Sequence, residues 1–419
     1  MKKILFLCII TLLAASCNKG PQANGNEPDQ PDQPDQPSGE VIGAVPTTAM
    51  AVVNIVTDDN APIVSKEEYI KANVTITTAD GVTTDVMRTN IRGRGNSSWY
   101  NAEKKSYRLK FEEKQSLLGR GKDKSWSLIA NYFDKTVLRN ELAFHMSRLS
   151  RLAYTPATDF VEVYLNGSYE GVYVLCDHLK TGSHRMDADY LMEIDVRAEE
   201  EDIQVHLTYL GQPVVVKDPD DISYESEEYT YISGFLTAAE NALYSPAYTS
   251  PETGYRQYFD LDSFVDWYLI NEIAKNNDAV LYTSCYMNHN EGGKLCMGPV
   301  WDFDIAFGNV NYNDNDKPEG VWIERSSWYH HLISDPAFLE LVKERFMFFY
   351  NMQDDLYKFI DDHAAYLKPY IDKNEERWHT LNVFLWPNPV VFETYQEHID
   401  SLKDWLDARL EWMKQNYGL

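Results

Sequence analysis

The chain has 419 residues, 44% of them hydrophobic and 13% aromatic, enough for one large globular domain or two ordinary ones. Its formal charge of −27 argues against nucleic acid as a partner and against direct attraction to an anionic membrane surface. Its five cysteines show no zinc-type spacing.

MKKILFLCIITLLAASC opens the chain with two lysines, an apolar run from Ile4 to Leu13 and small residues before Cys17. That pattern predicts an export signal over 1–16, too short to span a membrane as a helix. Ala14-Ala15-Ser16-Cys17 resembles a bacterial lipobox, with alanine where leucine is more usual, so Cys17 is the expected lipidation site. Residues 17–40 then carry a Pro-Asp-Gln repeat with almost no apolar side chains, which reads as an extended tether. The expected location is the cell envelope, on the outer membrane, with membrane attachment only through the lipid.

From about 41 to 215 the signals are strand-like. AMAVVNIVT, ANVTITT, SYRLKF, FVEVYL and GVYVLCD are β-rich runs, and Asn166-Gly167 between the last two predicts a tight hairpin. One helix is expected at about 135–149, where Leu138, Leu142 and Met146 recur at spacing four. This region is also a basic island. Between Arg88 and Arg151 there are 15 Lys/Arg against 6 Asp/Glu, which suits either a bound anion or a solvated lysine-rich surface. Arg92-Gly93-Arg94-Gly95-Asn96-Ser97-Ser98 combines cations with small residues that let backbone N–H groups approach an anion. It lacks the Gly-Lys-Ser/Thr of a P-loop. Alternation through Lys104–Phe111 puts Lys105 on the apolar face with Tyr107, Leu109 and Phe111, where a cation needs a partner. Glu141, on the expected helix beside Arg139, is one candidate.

After about 220, five segments carry helical periodicity, ending with VFETYQEHIDSLKDWLDARLEWMK. Between the second and third lies a strand pair, YTSCYMN and KLCMGPVW. A turn centred on Glu291 brings Asp278 and Asp302 together at the open end of this hairpin. It also makes Cys285 and Cys296 neighbours, either as free thiols or as a disulfide. Strand alternation adds Asp304 to the face of Asp302. Such carboxylates repel unless a proton or a cation joins them, and all-oxygen ligation suits Mg²⁺ or Mn²⁺ better than zinc. Asp278 is then the candidate base, with Asp302 and Asp304 as metal ligands; the alternative is that these aspartates only cap a helix end and a loop.

RGRGNSSW, KKSYRLKF, SLIANYFDKTVLRNELAF, FVEVYLNGSYEGVYVLCDHLK and GPVWDFDIAFGN, in that order, resemble the CotH (spore coat protein H) kinase family. The resemblance implies an α+β, atypical protein-kinase-like two-lobed fold over 41–419, with a β-rich N-lobe to about 215 and a mainly helical C-lobe after it. It implies an enzyme that uses ATP and Mg²⁺ or Mn²⁺ to phosphorylate serine or threonine on an envelope protein, or a glycan hydroxyl. By the same match, Asp278 is the catalytic aspartate and Asp302 the metal aspartate. Arg94, Gly95, Lys105 and Arg139 match the nucleotide-binding motifs, with Glu141 as the partner of Lys105. Where relatives carry asparagines soon after the catalytic aspartate, this chain has Tyr282-Thr283-Ser284. Two other functions compete: a surface lipoprotein that uses the fold to bind a glycan or protein through Trp99, Tyr100, Trp322, Trp328 and Tyr329, and a pseudokinase.

Overall fold

The computed structural model describes residues 45–419, which fall within one compact unit. The expected signal segment, Cys17 and the Pro-Asp-Gln tether lie outside the described residues. The first half builds strands β1 (Ala51–Thr57), β2 (Ile70–Thr77), β3 (Met87–Arg94), β4 (Ser106–Ser116), β5 (Lys122–Ile129), β6 (Thr158–Leu165) and β7 (Ser168–Asp177). Two helices interrupt them: α1 (Ser97–Asn101) and α2 (Arg139–Arg148). The strands close into a seven-stranded barrel in the order β1-β2-β3-β4-β5-β7-β6. Neighbours are antiparallel except at the seam, where Ala51–Ile55 of β1 runs parallel to Val161–Leu165 of β6.

Side chains alternate across the barrel wall as the pleat demands. Ile55, Val74, Leu109, Trp126, Leu128 and Val163 fill the interior. On β3 the buried positions are Met87, Thr89, Ile91 and Gly93, so Arg88, Asn90, Arg92 and Arg94 lie on the outer face. The expected hairpin joins β6 to β7, with Asn166 at φ 51° and Gly167 at φ 81°, the pair of positive values that suits the strand twist.

A second sheet follows: β8 (Tyr190–Ile194), β9 (Gln204–His206), β10 (Pro213–Asp218), β11 (Cys285–His289) and β12 (Leu295–Met297). Its order is β12-β11-β8-β10-β9, with every neighbour antiparallel. Helices α3 (Glu227–Leu243), α4 (Leu261–Ala274), α5 (Ser327–Ile333), α6 (Pro336–Asn351), α7 (Gln353–Trp378) and α8 (Tyr395–Tyr417) complete the chain. They share the larger core with the second sheet, including Trp267, Phe264, Trp328 and Leu406. No helix among the described residues is long and apolar enough to cross a membrane.

The two-lobed kinase-like architecture is not what forms. Its N-lobe would be an open sheet, whereas here the edges that β1 and β6 would expose pair with each other. Nor does the sheet content end with the N-terminal part. β10 crosses residue 215, and β8 pairs with both β10 and β11, so one sheet joins strands from both sides of the expected lobe boundary.

The hairpin register also differs. Met287 pairs with Met297 and Asn288 with Cys296, around a turn whose Gly292 has φ 75°. The turn is centred on Gly292, not Glu291. Cys285 therefore faces Ile194 on β8 instead of Cys296, and Cys176, Cys285 and Cys296 are all free thiols.

Candidate active site

A cleft of about 590 Å³ gathers side chains from β3, β4, the second sheet and the loops flanking its hairpin. Five of the residues singled out in the sequence line it: Arg94, Gly95, Asp278, Asp302 and Asp304.

The acidic side is built from two turns. α4 is buried along nearly its whole length and stops at Lys275, which adopts φ 47°. The Lys275 ammonium donates to the carbonyls of Asp314, Lys317 and Glu319 at 2.6–3.0 Å, which holds a non-glycine residue in that conformation. The chain then turns through Asn276 and Asn277 to Asp278. Asn277 donates to Asp278 Oδ1 at 2.8 Å, and its own Oδ1 accepts from Asn313 at 2.9 Å and Asn315 at 3.2 Å. Asp278 is half-buried, and burial together with the nearby Asp302 pushes its carboxyl above the ordinary range.

Asp302 lies beyond the end of β12, at φ 64°. It and Asp304 sit on a turn, so strand alternation is not what places them together. α2 holds this element from behind. Asn140 Oδ1 accepts from the Phe303 N–H at 2.7 Å, and Arg139 Nε donates to the Ala306 carbonyl at 3.1 Å. Ser284 Oγ donates to Asp302 Oδ2 at 3.4 Å. Burial and the charges of Asp302, Asp134 and Asp278 hold the Asp304 carboxyl well above its usual range.

The basic side comes from the barrel wall. Arg92 on β3 lies directly opposite Arg108 on β4, and Arg94 follows on the same face. Arg92 donates to the Lys66 carbonyl and lies 3.7 Å from Glu67, which offsets part of its repulsion with Arg108. Burial, with Arg92 and Arg94 alongside, lowers the Arg108 pKa, and Arg108 Nε is buried without a hydrogen-bond partner. Arg94 stacks over Trp301 at 5.4 Å, so the residue preceding Asp302 steers a cation into the cleft. His178, also in the lining, is held well below its usual pKa by burial and by Arg108, Arg94, Lys217 and Arg92.

Gly95 sits at φ 97°, and a Cβ there would lie 2.2 Å from Ser98 Oγ. Gly93 has no such backbone demand, but a Cβ would meet the Trp99 ring at 2.2 Å. The first glycine sets the turn; the second lets α1 pack flat on the barrel.

Three expected nucleotide contacts are not in the cleft lining. Lys105 Nζ donates to the Trp99 carbonyl at 2.6 Å and lies over its ring, so it fastens α1. Arg139 is ion-paired with the buried Asp134 at 2.6 Å. Glu141 accepts from Thr158 Oγ1 at 2.8 Å and lies 3.8 Å from Arg148, so Lys105 and Glu141 do not pair. The deeply buried lysine is Lys104, which donates to the Val172 carbonyl and to Asn374, and burial brings its pKa to about 7. β4 begins only at Ser106, so alternation counted from Lys104 assigned the buried cation to the wrong neighbour.

Among the lining residues not singled out in the sequence are Glu193, Asp195, Arg197 and Lys217. These four come from β8, β10 or the loop after β8. Asp195 accepts from Thr283 Oγ1 at 2.7 Å, tying that loop to the turn after Asp278. Glu193 is buried within the apolar run YLMEI, where burial raises its pKa to about 7, with Lys217 at 3.4 Å in partial opposition. A lone acid inside a short apolar strand was the signal that marked it.

Among the described residues, no group of three acidic, histidine or cysteine side chains could hold a metal ion unaided. A search of curated proteins finds no match. The family model described as CotH kinase protein matches residues 91–413, from the arginine pair on β3 through both aspartate turns to α8. The chain therefore belongs to the CotH kinase family.

Proposed function

We propose that this protein is an exported, metal-dependent kinase that transfers the γ-phosphoryl group of ATP to serine or threonine hydroxyls of envelope or surface proteins. What carries the proposal is opposed charge lining one cleft: Asp278, Asp302 and Asp304 with Arg92, Arg94 and Arg108. Phosphoryl transfer needs little covalent chemistry from a protein; it needs phosphates held in place, charge neutralised and a hydroxyl aimed.

The residues fit a metal nucleotide better than a bare ion. Mg²⁺ is commonly held by one or two carboxylates with waters and phosphates completing its shell. Asp302 and Asp304 are the carboxylates that would hold it, and bound there it would neutralise charge on the β- and γ-phosphates. Arg92, Arg94 and Arg108 bind phosphate oxygens, relieving their own mutual repulsion. The Gly95 turn lets backbone N–H groups approach the same oxygens. Asp278 takes the acceptor hydroxyl proton on Oδ2, since Oδ1 is occupied by Asn277. The acceptor oxygen forms its bond to the γ-phosphorus as the bridging bond breaks, and ADP leaves with that electron pair.

Export and a lipid on Cys17 belong to the same proposal and rest on the sequence of the first 17 residues. The binding-only alternative loses most of its aromatic surface: Trp99, Trp322, Trp328 and Tyr329 are core residues, and only Tyr100 is exposed.

The test is incubation of the purified chain with labelled ATP, Mn²⁺ and mixed envelope proteins, beside Asp278→Ala and Asp302→Ala. Incorporation abolished in both variants is the expected result. A wild-type chain that incorporates no label, and whose melting temperature ATP and Mn²⁺ leave unchanged, overturns the assignment.

A further inference from the structure

The connection between α7 and α8, residues 379–394, exposes an unusual number of large apolar side chains. Val383, Phe384, Trp386, Val390 and Val391 are each between 42% and 57% exposed. From Thr380 to Phe392 the chain carries no charged residue, in a protein that is 25% charged. Contiguous exposed apolar surface of this kind marks interaction sites on soluble domains.

The loop is not loose. Its polar backbone is fastened inward while its apolar side chains face out. Lys135 donates to the carbonyls of Leu381 and Val383 at 3.1 and 2.6 Å. Glu375 accepts from the N–H groups of Thr380 and Leu381 at 2.7 and 2.9 Å. Asn388 donates to the Phe133 carbonyl at 2.8 Å and to Asn309 Oδ1 at 3.0 Å. A surface ordered before binding loses less entropy when a partner docks.

Its position selects the partner. Trp386 and Pro387 line the same cleft as Asp278 and Asp304. Tyr312, also in that lining, stacks on Trp386 with centroids 5.9 Å apart and planes 20° apart. Trp386 and Tyr312 thus form an aromatic shelf within the cleft that holds Asp278. An extended polypeptide advances ~3.3 Å per residue, so residues close to the acceptor reach the shelf and the apolar loop beyond it. Branched aliphatic valines beside the aromatics suit leucine-like and aromatic side chains; sugar recognition would call for aromatic faces with polar groups between them. The lack of any Lys or Arg argues against a lipid headgroup surface.

We propose that the loop over 379–394 docks an extended acceptor polypeptide through apolar side chains flanking its target serine or threonine, a proposal that rests on the kinase assignment above. The partner class is thus a surface or envelope protein with an apolar-flanked serine or threonine in an extended segment. Phe384 and Val391 do not line the catalytic cleft, so replacing them leaves the catalytic groups intact.

The experiment uses the full chain in detergent, without nucleotide, on an array of short serine-centred peptides in which each flanking position is varied. The wild-type chain selects Phe, Leu, Val or Trp at one or more flanking positions. Phe384→Ser with Val391→Ser weakens that binding about tenfold or more, with an unchanged melting temperature, as expected for two exposed apolar anchors. Binding without apolar selection overturns the proposal. So does an effect of the double variant confined to vesicle flotation or to self-association in sedimentation, which would assign the surface to lipid or to a second copy. Label transfer to the bound peptides is measured separately. Peptide binding with no transfer counts against the kinase assignment and leaves the docking surface standing.

Discussion

Asn277 and Asp278 are adjacent in the chain, and the amide of the first donates to a carboxylate oxygen of the second at 2.8 Å. Asn277 is itself fixed by Asn313 and Asn315, so one oxygen of the proposed base is pinned and the other is left for substrate. The hydrogen bond favours the charged carboxylate, opposing the upward push of burial and Asp302.

Asn277→Ala is therefore expected to raise the Asp278 pKa. A base must be deprotonated to work, so the acid limb of the kcat profile moves to higher pH, by about one unit for a loss of ~1.4 kcal/mol. kcat falls on the order of tenfold, while the KM for ATP changes little, because Asn277 touches no phosphate-binding group. An acid limb that stays where it was would separate Asn277 from the base.

Gly95→Ala tests the phosphate turn. Alanine at φ 97° is strained whatever space surrounds it, and its Cβ forces the Ser98 hydroxyl to rotate. Stability should fall by about 1–2 kcal/mol. The larger effect is expected on nucleotide, since backbone N–H groups then point away from the phosphates: a KM for ATP raised about tenfold with a smaller change in kcat. Equal losses for ATP and for acceptor would mean that the turn is only structural.

How much of this was legible beforehand follows from the range of the interactions. The Asn166-Gly167 turn and helix α2 are written in neighbouring residues, and both formed where periodicity and turn chemistry put them. Barrel closure is not local: Ala51 pairs with Val161, and nothing in either strand names the other. Arg94, Gly95, Asp278, Asp302 and Asp304, which line one cleft, each sit in a compact motif that carries its own chemical pattern. Glu193, Asp195, Arg197 and Lys217 were missed because their relevance depends on the second sheet, whose strands β8 and β11 are brought together across about ninety residues. Lys104 and Lys105 precede the strand, so alternation holds for Tyr107, Leu109 and Phe111 but does not extend back to the two lysines.

Glu193→Gln probes the buried acid beside the cleft. Glu193 has a folded pKa of about 7 against an ordinary 4.5. The native state therefore binds more protons than the unfolded chain between those values, and Glu193 costs stability progressively as pH rises through that window. Below pH 4.5 it is neutral in both states and costs nothing. Glutamine cannot ionise, so the variant should gain on wild type from pH 4.5 to 7 and hold its gain above that. The limit is ~3 kcal/mol, less what Lys217 loses as a partner. Parallel melting curves for the two proteins across the window would mean that Glu193 stays hydrated.

The C-terminal helix reaches the site through one buried ion pair. Arg409 on α8 and Glu272 on α4 meet at 2.7 Å, essentially without solvent contact. Arg409 also donates to the Pro318 and Gly320 carbonyls at 2.6 and 2.7 Å, and Glu272 accepts from the Trp322 and Ile323 N–H groups at 2.8 and 2.6 Å. The pair thus clamps the segment that follows Asn313 and Asn315, the residues that fix Asn277. Arg409→Met strands a buried carboxylate and should cost about 3–5 kcal/mol. Glu272→Met with Arg409→Met removes both charges and should recover part of that loss, since the penalty lies in the unpaired ion. Activity should not recover with it: the double variant restores packing but removes the hydrogen bonds to Pro318, Gly320, Trp322 and Ile323, leaving Lys275 as the remaining hold on Glu319, so kcat stays low at temperatures where the protein is folded. Recovery of kcat together with the melting temperature would mean that the pair serves stability alone.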